Sequence, residues 1–244
     1  MYKALITLCF STVLISCSSF QTYDTSTAEG AFKQAEEYEK FERYDEAINH
    51  YQAVKNRFPY SRFAKPSDLK VADINFTRES YAEAQVAYQL YKEFYPRDQI
   101  ADYVTFRIGM SYFNQLPDKI GRDQSLAKDA IRYFEELMDV YPQSSHIAKA
   151  KEHRNKALKK LAQKELYVAD FYMKQEEYSS ALGRYEEVLK KYSNIGFNKR
   201  ALLGAVTSAN RGKNERKAKQ YLSRLAELAP GSKEHNEAQK ELRR

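Results

Sequence analysis

Five stretches of this 244-residue chain carry the same phrase, and that phrase limits the fold more than any other feature. Its clearest copy reads Tyr81, Ala84, Tyr88, Tyr91, Tyr95, Pro96. With Ala84 as anchor, the aromatics four, seven and eleven positions on share one face of a helix, because side chains three and four apart stack. Pro96 then stops the helix, lacking an amide hydrogen and forcing its predecessor out of the α region. The phrase recurs around Ala47 up to Pro59, around Ala130 up to Pro142, and around Ala218 up to Pro230. The copy around Ala181 ends at Ser193 in place of proline. In every copy the terminator stands twelve residues after the anchor.

Each phrase also has a first half. Ala35, Ala72 and Ala169 stand twelve residues before their anchors, and Val206, flanked by Ala205 and Ala209, does so in the last copy. Two small residues twelve apart are what closely approaching antiparallel helices need. An aromatic three positions after the first small residue (Tyr38, Tyr112, Tyr172) wedges against the next pair. This pattern resembles the tetratricopeptide repeat over roughly residues 28–230. The expected fold is therefore all-α, a superhelical solenoid of about five tetratricopeptide-like helix pairs. Eight Gly, six Pro, no Trp, twenty Tyr and thirteen Phe suit paired helices wedged by rings.

Residues 1–16 read as a lipoprotein signal peptide. Lys3 opens it and Ala4–Ile15 is apolar, too short to span a bilayer as a helix. Leu14-Ile15-Ser16-Cys17 resembles the bacterial lipobox, which implies cleavage before Cys17 and lipid attachment to it, with an ordinary secretory cleavage nearby as the alternative. Cys9 and Cys17 are the two cysteines, so the mature chain keeps a single sulfur and forms no internal disulfide. Ser18 rather than Asp implies transfer to the outer membrane, and residues 17–27 read as a lipidated tether.

Beyond the tether, repeats one and two occupy 28–96, and repeat three, 97–142, holds a loop insertion, Leu116–Ser125, where Pro117 and Gly121 require a break. Residues 143–193 hold a long helix, about His146–Gln175, whose second half opens repeat four. Repeat five and a C-terminal helix fill 194–244. The long helix carries Lys149, Lys151, Arg154, Lys156, Lys159, Lys160 and Lys164 against Glu152. It reads either as a solvated face or as a docking surface for an acidic domain or lipid phosphates. An overall charge of +7 is mild, and an exported lipoprotein has no nucleic acid to bind.

No catalytic constellation is visible. His50, His146, His153 and His235 lack metal-ligand spacing and read as surface residues, Gly212-Lys213 lacks a phosphate-binding loop, and no metal or cofactor is expected. Binding remains. By the repeat's pattern, the first helices present Phe32 and Glu36, then Leu69, Asp73 and Phe76, then Tyr103, Phe106, Met110 and Phe113. These side chains either line a groove for an extended, aromatic-bearing peptide or are buried by the packing of the pairs themselves.

Lipobox, five repeats, third-repeat insertion and long connector together resemble the BamD family of outer-membrane assembly lipoproteins. Asn56-Arg57-Phe58-Pro59-Tyr60, Asp102-Tyr103-Val104, Gly121-Arg122-Asp123-Gln124-Ser125, Val140-Tyr141-Pro142 and Glu165-Leu166-Tyr167-Val168-Ala169 carry the likeness. The third-repeat loop is shorter than in the best-known members. The resemblance implies a protein on the periplasmic face of the outer membrane that binds the POTRA domain of BamA and accompanies other Bam lipoproteins. Its first repeats would receive the C-terminal signals of unfolded β-barrel proteins. Arg184 matches an arginine that the family turns toward BamA, with Lys156 and Lys160 as further contact candidates; a surface pair with Glu187 is the plainer reading of Arg184. A different periplasmic repeat adaptor, serving cell-wall or secretion machinery, is the competing function.

Overall fold

The computed structural model describes residues 19–243, and among these the chain is all-α, with eleven helices and no strand. They are α1 (Ala28–Lys40), α2 (Tyr44–Arg57), α3 (Ala64–Thr77), α4 (Tyr81–Phe94), α5 (Ala101–Asn114), α6 (Leu126–Val140), α7 (Ile147–Lys174), α8 (Tyr178–Lys191), α9 (Asn198–Arg211), α10 (Glu215–Leu228) and α11 (Lys233–Leu242). Helices α2, α4, α6, α8 and α10 each stop two residues before the terminators Pro59, Pro96, Pro142, Ser193 and Pro230. All five anchor alanines, together with Ala35, Ala72, Ala169 and Val206, are fully buried. A methyl or isopropyl group at these crossings lets two backbones approach, and no solvent remains between them.

The turn inside a pair has a fixed construction. Glu42, Glu79, Glu176 and Lys213 all lie in the left-handed region, with φ between 56° and 61°, and each stands five residues before its anchor. The amide after each of them (Arg43, Ser80, Glu177, Asn214) donates to a carbonyl five residues back at 2.8–3.0 Å. This is the Schellman closure, which satisfies the last carbonyls of the first helix and reverses the chain. In repeat three the insertion replaces this turn.

Two compact units make up the chain, divided between Lys70 and Val71, within α3. In the first, α1 packs on α2 around Phe32, Ala35, Tyr51 and Val54, with Phe63 against Phe32 at 5.3 Å. In the second, α5 pairs with α6, α7 with α8 and α9 with α10, while α4–α5, α6–α7 and α8–α9 join successive pairs. One core runs from Leu166 to Ala238 around Tyr185, Val206 and Leu225. Another gathers Leu116, Ile131, Ala157, Leu161 and Tyr192. Helix α11 packs on α9 and α10. On α7 the buried stripe is Ala150, Ala157, Leu161, Ala162, Leu166 and Ala169; Ala148, expected to belong to it, is exposed.

Residues 19–27 are not a loose tether. Their backbone lies along α1, with the Gln21 amide donating to Glu37 Oε1 (3.0 Å) and the Tyr23 amide to Gln34 Oε1 (2.8 Å). Thr27 caps α1 by accepting from the Gly30 amide at 3.1 Å.

Candidate functional site

Of the nine groove candidates, counting Glu36, the structure places three in one cluster built by α3, α4 and α5 of the second unit. The Tyr103 hydroxyl donates to Asp73 Oδ1 at 2.6 Å, and the Tyr88 hydroxyl donates to the same oxygen. Arg107 lies with its guanidinium 3.6 Å from the centre of the Phe76 ring and donates from Nε to the Tyr88 oxygen at 3.0 Å. Burial, and then the hydrogen bond and charge of Asp73, push Tyr103 up to about 12; burial pushes Tyr88 higher still. Both phenols thus stay protonated donors to Asp73.

Arg107 escaped sequence reasoning. Its signal was present: with Asp102 it is one of two charged residues in α5. Among the described residues no carboxylate lies within ion-pair distance of it, and its hydrogen bond runs through Nε. Its terminal nitrogens, four N–H donors in a planar fork, suit a carboxylate beside an aromatic ring.

The other candidates divide. Phe32 and Phe106 belong to the core: Phe32 meets Tyr51 edge-on at 5.3 Å, and Phe106 stacks on His146 at 4.9 Å, 7° from parallel. Their rings are large enough to fill the crossing between helices, so packing takes them from any groove. Leu69, Met110 and Phe113 are half-buried, Phe113 edge-on to His153 at 5.0 Å, and Glu36 is exposed. Three of the four histidines are half-buried against aromatic rings rather than free on the surface, and His235 lies partly exposed near the start of α11. His146 and His153 lie on aromatic rings, and His50 stacks on Tyr38 at 4.6 Å, where burial lowers its pKa. Among the described residues no group of His, Cys, Asp and Glu could hold a metal ion.

Helix α7 spends much of its positive charge internally. Lys160 donates to the Pro117 carbonyl (2.9 Å) and Lys164 to the Gly121 carbonyl (2.7 Å), so both pin the inserted loop. Inside that loop, Gln124 is buried and bonds the carbonyls of Pro117 and Lys119. Lys156 pairs with Glu152 and Arg154 with Glu135. Lys149, Lys151 and Lys159 are exposed. Arg184, on α8, pairs with Glu165 across the helix pair at 3.0 Å rather than with Glu187, which pairs with Lys191. It borders a shallow depression of about 300 Å³ lined also by Tyr172, Ser179, Ser180 and Gly183. Elsewhere on α7, Tyr167 and Phe171 are exposed one turn apart. Cys17 lies outside the described residues.

A family model described as outer membrane lipoprotein (YfiO) matches residues 24–225. The chain belongs to this family. Among its relatives, the outer membrane protein assembly factor BamD of Neisseria meningitidis is 25% identical over 218 residues, covering 83% of this chain and 82% of its own. BamD of Pasteurella multocida is 27% identical over 158 residues, covering 61% of each. These relatives bear out the resemblance read from the sequence. Among solved structures, the TPR2AB domain of yeast Sti1 in its complex overlays with a TM-score of 0.47 at 15% identity, over 89% of this chain and 82% of that one. The span matched to the YfiO family contains Asp73, Phe76, Tyr103, Arg107, Lys156, Lys160 and Arg184, and leaves out Cys17 and α11. Among the described residues of this YfiO-family chain, no helix is long and apolar enough to cross a membrane.

Proposed function

We propose that this chain is the lipid-anchored, periplasm-facing adaptor of an outer-membrane β-barrel assembly machine. It binds the POTRA domain of a BamA-type barrel protein, sits beside the other lipoproteins of that complex, and receives the C-terminal signals of unfolded barrels. Membership of the outer membrane lipoprotein family, over 202 of 244 residues, carries the reading, together with relatives named as outer membrane protein assembly factors. Two surfaces support it. The Arg107 guanidinium lies over the Phe76 ring with its terminal nitrogens still able to donate, which suits a chain ending in a free carboxylate. Around Arg184, a cation held by Glu165 stands beside a shallow depression lined by Tyr172, Ser179 and Ser180, which suits an acidic, partly apolar projection of a folded partner. The work is binding and orientation, with no bond made or broken.

Depletion of the chain tests the reading: barrel porins fall in the outer membrane while lipoproteins of the inner membrane hold their level. In the same strain, Arg184→Glu weakens co-purification of the BamA-type protein. Normal porin levels after depletion, with cell-wall or secretion proteins co-purifying instead, would assign the chain to a different adaptor.

A further inference from the structure

The N-terminal segment runs in a seat that α1 is shaped to provide. One stripe of α1, Gly30, Gln34, Glu37, Tyr38 and Phe41, repeats at helical spacing and lies under residues 20–24. A Cβ on Gly30 would stand 1.8 Å from the Asp24 carbonyl oxygen, so the glycine makes room for the strap's backbone. Gln34 and Glu37 are 5% and 6% exposed, and each turns one side-chain oxygen to a strap amide. The two amides are two residues apart, and an extended chain points alternate amides to the same side. Phe20 then closes the seat, 5.0 Å from Tyr38 and 5.5 Å from Phe41, with the Arg43 guanidinium 5.5 Å from its ring centre. The two amide hydrogen bonds, together with the Phe20 ring seated among Tyr38, Phe41 and Arg43, favour the docked state.

We propose that this strap is a rigid mount that holds the first helix pair against the bilayer surface. The inference rests on the reading of Cys17 as the lipidated residue. Phe20 is three residues from Cys17, so its backbone stays within about 10 Å of the lipid attachment point. A flexible tether starting at Thr27 would instead allow roughly 35 Å. The C-terminal turn of α1, which bears Phe20, thus meets the headgroups, and the orientation of α1 and α2 toward the membrane is set by side chains rather than left to diffusion.

The test uses the full-length lipidated protein in vesicles of phosphatidylethanolamine and phosphatidylglycerol. A fluorophore on Lys40→Cys, at the exposed end of α1, is quenched by nitroxide lipid headgroups. Two variants release the strap: Gly30→Ala, which favours the helix but fills the seat, and Gly-Ser replacement of residues 20–23, which preserves chain length. The mount requires strong quenching in the parent and at least a severalfold loss in both variants, with helicity unchanged. Amide exchange at Gln21 and Tyr23 should be slowed about tenfold or more in the parent alone. Equal quenching in parent and variants, or unprotected amides in the parent, overturns the mount. Failure of the parent to float with vesicles overturns the anchor and the membrane placement together. The two amides then still report, independently, whether the strap is seated.

Discussion

The Tyr185 hydroxyl donates to Asp170 Oδ1 at 2.9 Å, and the same bond joins Tyr88 to Asp73; in both pairs the partners are fifteen residues apart. Asp170 and Asp73 each follow the small residue of a first helix, and each tyrosine lies four residues after an anchor alanine. Repeat three has Met110 and Phe134 at these two places, so acid and hydroxyl are lost together. The chain thus carries its own control for the bond. Asp170→Met leaves the buried Tyr185 hydroxyl without its acceptor and costs about 1–3 kcal/mol, while Tyr185→Phe costs about 1 kcal/mol. Asp170→Met with Tyr185→Phe, copying repeat three, should cost less than the sum of the single changes. Denaturant unfolding of the four proteins reads the coupling, and strict additivity would refute it.

Two helical glycines should respond to alanine with opposite signs. A Cβ on Gly204 would stand 2.4 Å from the Tyr185 ring, whereas around Gly183 nothing lies within 4 Å. Gly183→Ala gains helix propensity, about 1 kcal/mol. Gly204→Ala gains the same propensity and loses more to the displaced ring, since overpacking costs about 1–3 kcal/mol. Chemical unfolding should therefore rank Gly183→Ala above the parent and Gly204→Ala below it; stabilisation by Gly204→Ala would mean that the ring moves freely.

How much of this was readable beforehand depended on whether the causal residue itself carries a signature. Ala84 and Pro96 do, because small volume and a missing amide hydrogen act wherever they stand, so anchors and helix ends were legible. Glu79 does not: nothing about a glutamate announces a left-handed turn, and its place is dictated by the two helices around it. Phe106 reads as groove or core alike, because periodicity gives the face of a helix but not the neighbour across it, and that neighbour is His146. The segment at 19–27 has the composition of a loop, and its docking depends on Gly30, Gln34 and Glu37, residues of another element. Arg107 could have been noticed as a lone cation among apolar neighbours, but its contact with Phe76 joins two repeats and needed coordinates.

The left-handed turns themselves make a third prediction. Glu176 holds φ at 61° and is exposed, so its side chain offers little in return for a conformation that costs an L-residue roughly 1–2 kcal/mol. Glycine adopts it freely but loses more backbone entropy on folding, about 0.5–1 kcal/mol. Glu176→Gly should thus stabilise by about 0.5 kcal/mol, and Glu176→Val, branched at Cβ, should destabilise by more than that. Melting temperatures of the two variants settle it; a stabilising valine would show that the turn carries no strain.

Acid sensitivity should concentrate at Glu186. Its Oε1 accepts from Lys217 Nζ (2.7 Å) and from the Tyr221 hydroxyl (2.6 Å), joining α8 to α10. Burial alone would raise its pKa, but the Lys217 and Tyr221 hydrogen bonds and the lysine charge outweigh burial and lower it from 4.5. A carboxyl with a lowered folded-state pKa contributes stability that is complete above the unfolded value, about 4.5, and is lost as pH falls through the folded one. The phenol works at the other end: burial, then Glu186, pushes Tyr221 up to about 12, so its share holds below about 10 and fades as pH rises toward 12. Glu186→Gln should be less stable than the parent at pH 7, and its melting temperature should fall less steeply between pH 5 and pH 3. Parallel curves for the two proteins through that window would show that the carboxyl titrates with the same affinity for its proton in the folded and unfolded chains.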